Sequence, residues 1–347
     1  MLVELLFFLS LIYNAPSLFG EIDLKKLRLL LCIVISIIAL ILCVSYICFR
    51  MVFYVPRTQD QSIDEVILPE GDIYEPYHSI MTEWILEARS FPHEDFYIKS
   101  HDGLTLHAKY FEYAPDAVTE IMFHGYRGSA ERDLSGGIQR CFALGRNVLL
   151  VDQRTSCGSE GKVISFGINE HRDCLAWIDF AVNQFGPDVK LVLTGISMGA
   201  STVLMAAGKP LPKNVVGVLA DCGFSSPKEI IKKCTKDMHL PPNLMYPFIK
   251  LAAKIFGHFD LEAYSPMAAL KTCRLPVIFY HGETDDFVPC DMSRKMFDAY
   301  NGKKALITIP NAGHGLSYPV DQEYYLQTLR DFFGPSASAE TAKEQPL

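Results

Sequence analysis

The stretch "VLTGISMGAST", Val192–Thr202, decides how this chain is read. A run of strand-forming residues breaks into Gly-Ile-Ser-Met-Gly and continues as small residues suited to a helix. A serine between two glycines, with a strand before it and a helix after it, is the sequence form of a nucleophile elbow. The elbow needs both glycines because the strand-to-helix turn is sterically tight and holds the serine backbone in a strained conformation. Gly195 and Gly199 meet that need, and Ser197 stands at the tip.

Around the elbow, strand-like and helix-like segments alternate. "DFYIKS" and "LTLHAKYFEY" flank a His-Asp-Gly turn and read as a hairpin. "TEIMFHGY", "NVLLVDQR", "KLVLTGIS", "VVGVLADCG", "PVIFYHGE" and "KALITIP" are short apolar or β-branched runs bounded by turn residues, mostly the pattern of buried parallel strands. Helical patterns such as "HRDCLAWIDFAVNQFG" and "DQEYYLQTLRDFFG" separate them. The expected fold is α/β, with a mostly parallel central sheet and helices on both faces. Residues 224–275 break the rhythm; they hold no convincing strand, and "NLMYPFIKLAAKIFG" is amphipathic with Lys250 and Lys254 on its polar side, so a small helical cap is expected there.

Ser197 is a weak nucleophile until an imidazole takes its proton. "IPNAGHG" supplies His314 beyond the last strand, and "YHGETDDFVP" offers Asp285 and Asp286 at the end of the strand before it. Asp285 is the preferred partner of the imidazole, with Asp286 turned to solvent or capping the turn. The chain order Ser197, Asp285, His314 is that of α/β-hydrolases and not of the chymotrypsin or subtilisin arrangements. The oxyanion donors expected are the amides of Met198, next to the nucleophile, and of Tyr126, in the loop "FHGYRGS". His124 is read as shaping that turn, and His101 and His107 as surface residues of the first hairpin.

Taken together, "HGYRGS", "GISMGA", "HGETDDFVP" and "NAGHG" resemble the α/β-hydrolase family, in particular its bacterial prolyl-oligopeptidase-like and serine-aminopeptidase-like branch. The resemblance covers residues 95–334 and implies a serine hydrolase fold with Ser197, Asp285 and His314 as nucleophile, acid and base, and Tyr126 and Met198 as oxyanion donors. Where many members have Asp-x-Arg-Gly-x-Gly-x-Ser, this chain has "DQRTSCGSEG". That departure touches substrate contacts and leaves the triad alone. The chemistry implied is cleavage of an ester, thioester or amide through an acyl-enzyme; a peptidase, an acyltransferase or a non-catalytic scaffold would share the same fold.

The N-terminus differs in kind. "LRLLLCIVISIIALILCVSYICF", residues 27–49, carries one charge, Arg28, and about 20 apolar residues suffice for a helix to cross a bilayer. Residues 1–55 are therefore read as a membrane-anchor region, making the lipid bilayer an expected partner. The earlier apolar run Leu5–Tyr13 is short for a span and suits an interfacial or second, weaker segment. Lys25, Lys26 and Arg28 precede the span, and Arg50 and Arg57 follow it, which slightly favours an outside catalytic domain. Residues 56–94 read as a linker, or an arm packed on the domain surface, followed by a packing helix with Ile80, Trp84 and Ala88 on one face, and residues 335–347 as a disordered tail.

The whole chain, 347 residues with a formal charge of −8 and a pI near 5.7, has no basic run suggesting nucleic acid. Ten cysteines include three in the span, and the other seven show no paired spacing, an arrangement commoner in a reducing setting. Cys157, Cys222 and Cys290 are read as packing thiols. No zinc spacing, phosphate loop or dinucleotide fingerprint occurs, and no cofactor is expected. The substrate expected is a small acyl or peptide molecule. Oligomeric state leaves no mark in the sequence.

Overall fold

A computed structural model describes residues 24–56 and 65–334. The Leu5–Tyr13 run, Arg57 and the tail after Gly334 lie outside the described residues.

Eight strands form one sheet: β1 (Glu94–Lys99), β2 (Thr105–Phe111), β3 (Thr119–Phe123), β4 (Asn147–Asp152), β5 (Leu191–Ile196), β6 (Val215–Asp221), β7 (Val277–Gly282) and β8 (Lys304–Ile309). Their spatial order is β1-β2-β4-β3-β5-β6-β7-β8. β1 and β2 pair antiparallel with their neighbours, and the rest of the sheet is parallel. The six residues of β4 and the six of β7 are all buried, as strands covered on both faces must be, whereas the edge strand β1 alternates with solvent.

The helices among the described residues are α1 (Leu24–Val52), α2 (His78–Ser90), the short α3 (Ala130–Asp133), α4 (Gly137–Ala143), α5 (Glu170–Phe185), α6 (Met198–Ala207), α7 (Pro227–Asp237), α8 (Pro242–Ile255), the short α9 (Pro266–Ala269), α10 (Asp291–Ala299), the short α11 (Ser317–Val320) and α12 (Gln322–Phe333). On one face of the sheet, Trp177 of α5, Val203 and Leu204 of α6, and Met296 of α10 pack on Ile121, Leu193 and Phe279. On the other, Ile138 of α4 covers Met122 and Leu150, and Tyr325 and Leu329 of α12 cover Leu219 and Tyr280. The alternation of side chains along β3, with Ile121 and Phe123 on one face and Met122 on the other, feeds both cores.

The buried face of α2 is centred on Met81, Trp84 and Ile85, rotated from the expected Ile80–Trp84–Ala88 line because Ile80 and Ala88 lie at its margins. Residues 224–275 are helical as expected. α7 starts at a Ser226 cap whose hydroxyl accepts from the Glu229 amide, with Pro227 in the first turn. α8, however, packs mainly on α1: Phe256, at its end, meets Tyr46 and Phe49, and Phe53 meets Phe259 edge to face at 5.3 Å. Cys48, Phe49 and Phe53 of the α1 end are thus buried in the domain, while Leu29, Leu30, Ile35, Ile37 and Leu40 lie bare along the helix.

Candidate active site

Three strand ends bring the site together. Ser197 follows β5, Asp285 lies in the loop after β7, and His314 lies in the loop after β8. The ligand-binding crevice of an open α/β sheet lies at these carboxyl ends.

Ser197 has φ 56° and ψ −118°, a conformation costly for a residue with a side chain. Close backbone approach holds it there. A Cβ on Gly195 would stand 2.2 Å from the Gly199 carbonyl group, and one on Gly199 would stand 2.0 Å from the Phe123 oxygen. Neither position accepts alanine without moving backbone. The Ser197 amide donates to the Asp221 oxygen at 2.8 Å, fixing the elbow to β6.

The Ser197 hydroxyl lies 2.9 Å from His314 Nε2, and His314 Nδ1 lies 2.7 Å from Asp285 Oδ2. A carboxylate only accepts, so Nδ1 carries the proton and Nε2 is left to accept from the serine. Asp285 Oδ1 accepts the amides of Phe287 at 3.0 Å and Val288 at 2.8 Å. Burial would raise the Asp285 pKa, but hydrogen bonds from His281 and His314 outweigh it and hold the carboxyl down at about 2. Asp286 is exposed. Asp221, the carboxylate ending β6, is occupied by Ser317 Oγ at 2.7 Å and Tyr325 Oη at 3.1 Å, and burial raises its pKa.

Met198 follows the serine in the chain and Tyr126 follows Gly125, which approaches it; among the described residues neither amide has a hydrogen-bond acceptor. Two N–H groups without acceptors near a strained serine are the kind of donor an oxyanion needs. Gly125 brings the first loop close; a Cβ added there would lie 3.8 Å from Ser197 Oγ. Asp133 Oδ2 accepts the Gly125 amide at 2.9 Å and so fixes that loop from α3.

His124 is fully buried in the turn: its Nδ1 donates to Gly125 O at 2.9 Å and its Nε2 accepts the Gln153 amide at 3.0 Å, while burial holds its pKa low. It shapes the loop, as expected. His101 is exposed. His107 is not a surface residue. It is 6% exposed, with Nε2 2.7 Å from Asp95 Oδ1 and Nδ1 2.8 Å from Asp152 Oδ2. The Tyr97 ring at 4.9 Å and Gly158 pack against the imidazole, which lines a second cleft together with Asp95 and Asp152. Cys222 is buried and Cys290 partly so, but Cys157, in the "DQRTSCGSEG" loop with φ 41°, is exposed. In the same loop Arg154 is buried against Asp173 at 2.6 Å and reaches Asp102 at 3.0 Å.

A cleft of about 550 Å³ opens above Ser197. Ile73, Met81, Ile196 and Phe287 line it together with Arg132, Asp133 and Asp286. Its roof is not α7 or α8 but the segment Pro69–Tyr74, which the sequence presents as a linker or an arm packed on the domain surface. Tyr74 donates its hydroxyl to the His314 carbonyl at 2.9 Å, tying this arm to the base. Three site residues escape sequence reasoning. Asp133 and Tyr74 carry no motif, and His281, beside Gly282 in "YHGETDDFVP", reads as strand although its Nε2 lies 3.2 Å from Asp285 Oδ2.

Fold and family together define a serine hydrolase of esterase or peptidase type. The chain belongs to the prolyl oligopeptidase family, whose model matches residues 164–339. It is 23% identical over 301 residues to the uncharacterized protein YqkD of Bacillus subtilis, covering 86% of this chain and 94% of the relative. Among solved structures it is similar to the esterase Pf2001 of Pyrococcus furiosus, with a TM-score of 0.58, 21% identity, and coverage of 71% of this chain and 92% of that one. A puromycin-hydrolyzing peptidase of Mycobacterium tuberculosis is also similar, with a TM-score of 0.54, 18% identity, and coverage of 70% of this chain and 40% of that one. Both likenesses are at the level of the fold.

Proposed function

We propose that this chain is a membrane-anchored serine hydrolase that opens an ester, thioester or amide through an acyl-enzyme on Ser197. In this reading Ser197 Oγ adds to the carbonyl carbon as its proton passes to His314 Nε2. Asp285 keeps the imidazole in the productive tautomer and stabilises the imidazolium. The Tyr126 and Met198 amides receive the oxyanion. Collapse expels the leaving group, protonated by His314, and water then repeats the sequence to release the acid. The observation that carries the reading is the unbroken chain Ser197–His314–Asp285, at 2.9 and 2.7 Å, beside two free amides.

The anchor reading is supported by the bare apolar length of α1, since water does not favour so long an uncovered apolar surface. With Lys25, Lys26 and Arg28 at one end, flanking charge favours a catalytic domain outside the cytoplasm. The mixed cleft, apolar at Ile73 and Phe287 and charged at Arg132 and Asp286, favours a small polar-headed acyl substrate over a long chain. A peptidase with the same residues is the second reading, supported by family membership.

The test compares detergent-solubilised wild type and Ser197→Ala on p-nitrophenyl esters of rising chain length and on aminoacyl p-nitroanilides. Ester turnover with a short-chain optimum, lost in the variant, is expected. Turnover confined to anilides would select the peptidase. Undiminished turnover by Ser197→Ala would end the proposal.

A further inference from the structure

The C-terminal end of α1 reaches the candidate oxyanion loop. The last carbonyls of a helix have no partner inside it, and here side chains of that loop take them. Tyr126 donates its hydroxyl to Val52 O at 2.8 Å, and Arg127 Nη2 donates to Met51 O at 2.8 Å and Tyr54 O at 3.0 Å. The guanidinium also sits where the helix dipole favours a cation. Arg127 has φ 51°, a left-handed conformation that surrounding contacts must hold.

Packing makes the same connection. The Tyr126 ring lies 5.1 Å from that of Phe166, which meets Phe53 edge to face at 5.9 Å. Met198, whose amide is the second candidate donor, is buried in the same cluster as Cys48, Phe49 and Phe53. Behind the helix end, Val55 donates to Lys162 O and Ile164 to Phe53 O, both at 2.9 Å, so the chain leaving α1 is stitched to the domain. Tyr126 is therefore held on the end of α1, and Met198 shares the apolar cluster that this end enters.

We infer that the anchor helix is part of the catalytic apparatus: its terminal carbonyls at Met51 and Val52 and the Tyr54 carbonyl just beyond it, gripped by Arg127 and the Tyr126 hydroxyl, set the position of the Tyr126 amide. Arg127 is a positioning residue, acting through its neighbour. Asp133 and Ser156 hold the loop from the other side, through Gly125 N and Gly128 O, so loss of the helix grip displaces the amide without unfolding the loop. The inference rests on the proposed role of Ser197 and the two amides.

Full-length Tyr126→Phe, Arg127→Ala and Arg127→Lys are compared with wild type and Ser197→Ala in one detergent. kcat and KM are measured on a small soluble ester, together with inhibition by a trifluoromethyl ketone, whose serine adduct places an oxyanion between the two amides. A displaced donor costs part of the roughly 100-fold that a deleted one would, so Tyr126→Phe and Arg127→Ala are each expected to lose about tenfold in kcat with KM little changed. Inhibitor affinity falls in parallel, circular dichroism is unaltered, and Arg127→Lys recovers part of the loss. Retention of kcat and inhibitor affinity in Tyr126→Phe and Arg127→Ala, with or without a lower melting temperature, would overturn the inference while Ser197→Ala stays inactive. Activity in Ser197→Ala would overturn the catalytic reading beneath it.

Discussion

Two histidines of this chain sit against carboxylates in nearly the same geometry, and their second partners differ: the reading proposed for His314 needs a proton to move, whereas the surroundings of His107 favour holding one. His314 has a carboxylate on one nitrogen and a serine hydroxyl on the other. His107 has a carboxylate on each, Asp152 and Asp95. The first arrangement leaves one nitrogen free to accept a proton and return it. The second favours a proton on both nitrogens: burial opposes the charge, but the hydrogen bonds His107 donates to Asp152 and Asp95 outweigh it and raise its pKa. In the proposed reading one cluster moves a proton, and the other keeps one. The strand ends explain the contrast. His314 lies in a loop beside an elbow, whereas His107 lies within β2, clamped between its two neighbours in the sheet.

Altering the carboxylates puts the two clusters under the greatest strain. Asp285→Asn is expected to lower kcat on an ester by about 10⁴-fold, because an amide favours the wrong imidazole tautomer; Asp286→Asn, in solvent, leaves kcat near wild type. A reversed order of effects in steady-state kinetics would assign the acid to Asp286.

His107→Gln is expected to leave kcat intact and cost about 2 kcal/mol of stability, the scale of a charge-assisted hydrogen bond, discounted because Asp95 is half in water. Urea unfolding of the solubilised chain measures it. A large fall in kcat without loss of stability would place His107 in the chemistry.

The pH dependence of stability separates the two histidines further. A raised folded pKa means that the His107 contribution is complete below the ordinary value of 6.5 and is lost as pH rises through the higher folded value. Wild type should therefore lose more stability on alkalinisation than His107→Gln. Parallel pH profiles for the two proteins would show that His107 is not a clamped cation.

The smallest effect is expected at the roof of the cleft. Tyr74→Phe removes one neutral hydrogen bond to the His314 carbonyl, worth about 1 kcal/mol. Its expected result is faster proteolysis near Pro69–Tyr74 with a modest loss of kcat; unchanged proteolysis would mean that the arm is held by packing of Ile73 and Leu68 instead.

Much of the fold is legible in the sequence because each strand is a short apolar run bounded by turn residues, and because the elbow couples a strand, two glycines and a helix at fixed spacing. The meeting of Ser197, Asp285 and His314 can be expected because each sits just past a recognisable strand. His107 reads wrongly as a surface residue because its neighbours in space, Asp95 and Asp152, lie 12 and 45 residues away and meet it only through sheet pairing. The roof at Pro69–Tyr74 and the grip of Arg127 on Met51 are hidden for a related reason. Polar, Pro- and Gly-containing sequence looks the same whether it crosses solvent or lies over a cleft, and a carbonyl at a helix end carries no residue-type signature.

That Ser197 is a nucleophile activated by His314 is tested most directly by intact-protein mass spectrometry of the solubilised chain after a fluorophosphonate, followed by peptide mapping, with Ser197→Ala alongside. A single adduct on the peptide containing Ser197, absent from the variant, is the predicted result. A folded wild type that takes no adduct, or an adduct that persists in Ser197→Ala, would contradict it.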